Sequence, residues 1–220
     1  MSKNNLTPKS DWTGNNKAIY STLGASNHSK EEREENDYYA TDPNAMRLLL
    51  EEESFNKNIW EPACGENHLT NVLREHGYIV RTSDLIQRTD NVEQLDFLSP
   101  TNNTKWNGDI ITNPPYSYAA QFAEKALSLL NDGNKLAMFL KIQFLEGQSR
   151  RELFRKNPPK IVYVSTNRIL CAKNGKFDGK EGTNGGAVCY CWFIWEKGFN
   201  GDPIIKWFND GSNKNRNALF

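Results

Sequence analysis

The chain is 220 residues long, enough for one α/β domain with appendages and too short for two comfortable ones. Lys plus Arg and Asp plus Glu are equal at 27 each, so overall charge announces no polyanionic partner, and no run approaches the roughly 18 apolar residues of a membrane span. Cys64, Cys171, Cys189 and Cys191 form no CxxC pair and His28, His68 and His76 are scattered, which argues against a disulfide framework or a zinc site and for the reducing cytoplasm, with no metal.

Residues 1–36 are rich in Asn, Ser, Lys and Glu and read as an N-terminal arm, flexible or partly ordered, ahead of a single domain over 37–220. "TDPNAMRLLLEEE" then starts a helix, with Pro43 in its first turn and an apolar stripe through Ala45, Leu48 and Leu49. From there strands and helices alternate. "NIWEPACG" is a short strand entering a turn; "HLTNVLREHG" is helical, with Gly77 as its stop. "YIVRTSDLI" is a second strand and "NVEQLDFLS" contains a third. "DIITNPP" is the fourth, followed by a helix through Phe122, Ala123, Ala126, Leu127 and Leu130. "KLAMFLKI" is the near-continuous apolar run of a central parallel strand. A helix over "EGQSRRELFRKN" precedes the strands "KIVYVSTNRI" and "AVCYCWFIWEKG", in which Cys189 and Cys191 alternate and pack. Such alternation predicts a doubly wound, mostly parallel α/β sheet with helices on both faces.

Between the last two strands, "CAKNGKFDGKEGTNGG" (171–186) carries five glycines in sixteen residues, too long for a plain connection and read as a basic, Gly-rich, substrate-contacting insertion. From Lys141 to Lys180 ten basic residues stand against three acidic ones, so positive charge is concentrated there despite the neutral total.

In open parallel sheets the ligand lies beyond the carboxyl ends of the strands. Four polar motifs occupy such ends: "EPACGENHL" after the first strand, Asp84 after the second, Asp96 near the third and "NPPY" (113–116) after the fourth. The last is the least ordinary. Neither proline has an N–H, and each restricts the residue before it to extended geometry, so the Asn113 and Pro114 carbonyls can neither join a helix nor extend the ladder.

Together these residues resemble the class I S-adenosylmethionine-dependent methyltransferases, and among them the enzymes that methylate the N6 amine of adenine in DNA. The resemblance covers roughly residues 37–208. It implies a seven-stranded Rossmann-like sheet with an antiparallel closing strand, and S-adenosylmethionine as cofactor. "EPACGENHL" looks like the cofactor loop, with Glu61 toward the amino-acid end of the cofactor, Pro62 and Ala63 in the turn and Gly65 allowing close backbone approach. Asn67 stands where the family usually has its second glycine. Asp84, followed by Leu85, matches the carboxylate that takes the ribose hydroxyls. Asp96, followed by Phe97, matches the reader of the adenine amino group. "YYATDP" resembles the segment that closes over the methionine moiety, making Tyr39 and Thr41 cofactor contacts, though helix capping explains Thr41 and Pro43 equally well.

On this resemblance Asn113, Pro114, Pro115 and Tyr116 are catalytic, with Asn113 also bordering the cofactor. An exocyclic adenine amine is a poor nucleophile because its lone pair is delocalised. The Asn113 side-chain oxygen and the Pro114 carbonyl accept its two N–H groups, aim the lone pair at the methyl and stabilise the developing charge, while Tyr116 offers a stacking face. The target base must be flipped out, and Trp192 or Phe193 are candidates for its second face. The same pocket suits a glutamine amide in protein or an amino group in RNA, and a noncatalytic module keeping the fold is a further alternative. No separate recognition domain fits after Tyr116, so specificity falls to the basic insertions, the arm, a homodimer or an accessory specificity subunit.

Overall fold

The computed structural model describes residues 39–167, 169, 171–173 and 188–208; the expected arm and nearly all of the Gly-rich insertion lie outside them. In chain order the elements are β1 (Tyr39–Thr41), α1 (Pro43–Glu52), β2 (Asn58–Glu61), α2 (His68–Glu75), β3 (Ile79–Asp84), β4 (Glu93–Gln94), β5 (Asp109–Thr112), α3 (Ala119–Leu129), β6 (Lys135–Lys141), α4 (Arg151–Lys156), β7 (Ile161–Ser165), β8 (Cys171–Lys173), β9 (Tyr190–Glu196) and β10 (Ile204–Phe208).

Eight strands form one sheet in the order β10-β7-β9-β6-β5-β2-β3-β4, and β1 pairs with β8 in a separate antiparallel ribbon. Within the large sheet β9 runs antiparallel to β6 and β7, and the other neighbours are parallel. The sheet is thus the doubly wound, Rossmann-like α/β arrangement, with one difference in strand count. It has eight strands, not seven, because β10 adds a parallel strand to the outer edge of β7. The expected antiparallel strand is β9, which lies inside the sheet, between β6 and β7.

Side chains alternate across the central strands into two apolar layers. Ile110, Leu136, Met138 and Leu140 face the layer closed by α3 through Phe122, Ala126 and Leu129. Ile111, Ala137, Phe139 and Trp192 face the layer closed by Met46 and Leu49 of α1 and by Leu69, Val72 and Leu73 of α2. Asp42, not Thr41, caps α1: its side chain accepts the Asn44 N–H at 2.8 Å, and Pro43 follows in the first turn. The helix expected over 146–157 is shorter, because Gly147 sits at φ +112 and prolines follow Asn157; a 3-10 turn at Gln148–Arg150 leads into the six residues of α4.

At the amino ends of the strands Asp109, 2% exposed, ties three segments together. It accepts the Asn56 N–H at 2.6 Å on one oxygen and the Lys135 N–H at 2.7 Å on the other. Beside it Gly108 passes so close to β2 that a Cβ would lie 2.3 Å from the Asn58 carbonyl oxygen, a place only glycine fits. At the carboxyl ends, β3 and β4 wind outward on one side of β2 and β5 pairs on the other. That reversal opens the crevice where an open α/β sheet takes its ligand.

Candidate active site

The strand ends at this reversal enclose a cleft of about 360 Å3. One half is built by the loop from β2 to α2. Gly65 adopts φ +53 and donates its N–H to Asp84 Oδ2 at 2.8 Å, tying this loop to the end of β3. Asn67 keeps the left-handed turn without glycine, at φ +66, and its Nδ2 donates to Thr89 Oγ1 at 2.7 Å. A left-handed non-glycine residue costs roughly 1–2 kcal/mol, and a hydrogen bond of this kind offsets about 1 kcal/mol of it.

Glu61 is 2% exposed at the floor and accepts the Thr70 hydroxyl from α2. Burial pushes its carboxyl up to about 8, repulsion from Asp84 adds to the rise, and the Thr70 bond opposes it. At neutral pH the group is mostly protonated, poised to ionise against a cation. Burial likewise pushes the neighbouring Cys64 thiol up to about 12, which keeps it neutral. Asp84 is almost fully saturated: besides Gly65 it accepts the Ile86 N–H at 3.0 Å and Arg88 Nη1 at 3.2 Å, both on Oδ1. Asp96 is exposed at the cleft, its Oδ1 accepting the Leu98 N–H at 2.9 Å. Phe97 is buried edge-on against Trp60, centroids 5.2 Å apart, and forms an apolar wall, while Leu85 stays 55% exposed at the lip. A large apolar side chain left open beside carboxylates suits a flat ring carried by a polar ligand.

The other half begins at the end of β5. Asn113 Nδ2 donates to Thr41 Oγ1 at 2.8 Å, so β1 fixes the orientation of the amide, and its Oδ1 is buried. Pro115, at φ −54 and ψ 123, gives its carbonyl to the Tyr118 N–H at 2.9 Å and starts the 3-10 turn Tyr116–Tyr118 that leads into α3. Tyr116 is half-buried, its ring 6.0 Å from that of Tyr190 and 5.0 Å from Lys141 Nζ. Trp192 and Phe193, offered above as faces for a base, are both fully buried: they point to opposite layers of a strand covered on both sides. Tyr190 is the aromatic of that strand that reaches Tyr116.

Of the residues singled out in the sequence, Thr41, Glu61, Pro62, Ala63, Asp84, Leu85, Asp96 and Phe97 line this one cleft with Asn113, Pro114, Pro115 and Tyr116. Gly65 shapes its loop, and Tyr39 is placed on β1 opposite Lys173, so the stem of the Gly-rich insertion pairs with the strand that holds Asn113. Sequence reasoning missed Thr70, Arg88, Lys141 and Tyr190. A threonine among Leu69, Val72 and Leu73 on the apolar face of α2 was a signal for the first. The rule that found Asp84 and Asn113 at strand ends also picks out Lys141 at the end of β6. Among the described residues no cluster of His, Cys, Asp and Glu is built to hold a metal, and no helix is long and apolar enough to cross a membrane.

No family model and no curated protein matches the chain in sequence. Solved structures do match it. A candidate class I S-adenosylmethionine-dependent methyltransferase from Listeria monocytogenes superposes with TM-score 0.53 at 14% identity, over 90% of this chain and 73% of the other. The fold is that of the class I methyltransferases. A candidate O-methyltransferase from Agrobacterium tumefaciens shares this methyltransferase fold at TM-score 0.51 and 11% identity, over 74% of this chain and 85% of its own. A chain from a type I restriction-modification system matches at TM-score 0.50 and 13% identity, over 87% of this chain, which spans about half of it (48%).

Proposed function

We propose that the protein is an S-adenosylmethionine-dependent methyltransferase that acts on the exocyclic N6 amine of adenine in DNA. The observation that carries this reading is the Asn113 amide, locked by Thr41 at the rim of a cleft whose other half presents Glu61, Asp84 and Asp96. That donor set fits the cofactor: a buried carboxyl for an ammonium, a carboxylate at the end of β3 for a diol, and an exposed carboxylate beside an apolar wall for an amino-bearing ring. S-adenosylmethionine supplies an electrophilic methyl group when bound.

What the chain adds is orientation. Asn113 Oδ1 and the Pro114 carbonyl accept the two N–H groups of the acceptor amine, hold its lone pair out of conjugation, and stabilise the positive charge as the new N–C bond forms and the S–C bond breaks. Prolines fix those acceptors before the substrate arrives, and Tyr116 provides the stacking face. No basic or nucleophilic side chain is required, because the proton leaves the product amine to solvent. Residues 37–220 serve as one catalytic domain in the cytoplasm. The restriction-modification chain that shares the fold makes a separate specificity subunit the partner to look for, with a homodimer as the other arrangement.

The test is transfer of labelled methyl from S-adenosylmethionine to unmethylated duplex DNA, single-stranded DNA, RNA and cell protein, followed by nucleoside analysis. N6-methyladenine in DNA is expected. Label confined to RNA or to protein glutamine would keep the pocket and replace the substrate. Failure to bind the cofactor would leave a module that retains only the fold.

A further inference from the structure

The reaction proposed above uses Asn113, Pro114 and Tyr116 but gives no task to the cation beside Tyr116. Lys141 ends β6 directly opposite Tyr190 of β9, and its Nζ stands 5.0 Å from the Tyr116 ring. Tyr116 and Tyr190 lie 6.0 Å apart, so the three side chains form one cluster at the acceptor end of the cleft. Among the described residues Lys141 has no carboxylate partner, in contrast to Lys135, Lys160 and Arg155, each of which is held by a glutamate. The backbone around it is anchored. The Ile142 N–H donates to the Cys189 carbonyl at 2.9 Å, and the Arg150 guanidinium ties down the following turn through the carbonyls of Phe144 at 2.8 Å and Gln143 at 3.2 Å.

A half-buried cation next to this acceptor site does not help the chemical step directly. The attacking amine gains positive charge, and the methyl donor is itself cationic, so an unneutralised lysine would oppose transfer. The arrangement becomes favourable once an anion sits on the ammonium. A cation over an aromatic face that also stacks a base is the pairing that single nucleotides in a strand demand: ring to ring, and phosphate to lysine.

We infer that Lys141 binds the backbone phosphate flanking the target nucleotide, and so selects a nucleic acid over a protein amide as the acceptor. This inference rests on the methyltransferase reading and names the substrate class of the same site.

The experiment compares the full-length wild type with Lys141→Gln and Lys141→Arg. S-adenosylmethionine affinity is measured by calorimetry, and binding of fluorescein-labelled adenine-containing duplex DNA and single-stranded RNA by anisotropy across a salt series. Lys141→Gln is expected to weaken nucleic-acid binding several-fold and to lower the slope of log affinity against log salt by about 0.9 for duplex or about 0.7 for a single strand. Lys141→Arg should keep the slope, and all three proteins should bind the cofactor alike, which also reports that they fold. A larger loss on DNA than on RNA, or the reverse, identifies which polymer is read. An unchanged slope in Lys141→Gln overturns the inference, as does methyl transfer to a protein glutamine with equal rates in wild type and Lys141→Gln. Wild type that binds no S-adenosylmethionine while the lysine effect persists would instead bring down the methyltransferase reading alone.

Discussion

Along the cofactor half of the cleft the polar groups hold one another. Gly65 is bound to Asp84, Asn67 to Thr89 and Thr70 to Glu61, so the loop after β2 is tied to the end of β3 and to the loop beyond it, and α2 to the end of β2, before any ligand arrives. Across the cleft the amide of Asn113 is held by Thr41, and rings and a cation complete that side. β1, which carries Thr41, pairs with the stem of the Gly-rich insertion through β8. The contrast teaches which losses to expect: damage to the cofactor half spreads through a network and is felt in binding, whereas damage to the acceptor half is local and is felt in rate.

The largest effect should come from Asn113→Ala. Removing one acceptor of developing charge costs about 10²–10³ in rate, and steady-state methyl transfer should fall at least that far while cofactor affinity stays within a few-fold. Equal loss of both would erase the distinction between the halves. Asp84→Ala comes next. It removes the carboxylate proposed for the ribose and strands the Gly65 and Ile86 donors, so a cofactor titration should show affinity falling by roughly 10- to 100-fold, the equivalent of about 1.5–3 kcal/mol.

Glu61 supplies a pH signature. In the cofactor-free fold its carboxyl keeps a proton up to about 8, whereas in the unfolded chain it ionises from about 4.5. The native state therefore binds more protons than the unfolded state across that window, and cofactor-free stability falls as pH rises from 4.5 toward 8. A cationic ligand favours the ionised form, so cofactor affinity should rise over the same window, by up to about tenfold per pH unit, with proton release detectable by calorimetry in buffers of different ionisation enthalpy. Glu61→Gln should flatten that dependence. The smallest effect concerns Arg88, which bonds Asp84 Oδ1 on the carboxylate proposed for the ribose diol. Arg88→Gln should tighten cofactor binding a few-fold, in keeping with a partly exposed ion pair worth about 0–1 kcal/mol; weaker binding would mean that Arg88 contacts the cofactor.

The residues of this cleft were legible because they are local. A strand end followed by Asn-Pro-Pro-Tyr, or by Pro-Ala-Cys-Gly, reports its own backbone constraint whatever surrounds it. Asn67 shows the same logic: the sequence offers a residue tolerant of positive φ, and the turn has it. What stayed hidden depends on long-range placement. Ile204, Ile205 and Trp207 of β10 are exposed on the sheet edge, so the strand lacks the alternation that would have announced it. β1 and β8 are three residues each, below the length at which periodicity speaks. The raised Glu61 carboxyl arises from burial against α2 and from Asp84, contacts that no spacing rule encodes. Trp192 and Phe193 misled for a related reason: in a strand covered on both faces, alternation no longer separates inside from outside.

Asp109 lies at the opposite end of the same strands. Its replacement by alanine would remove the part-buried hydrogen bonds to the Asn56 and Lys135 N–H groups, a cost of about 1 kcal/mol each, and in a chain of this size every kcal/mol lowers the melting midpoint by roughly 2–4 °C. Such a lesion leaves every group of the cleft in place. To a geneticist, Asp109 is therefore the position for a conditional allele, functional at low growth temperature and silenced by a shift upward.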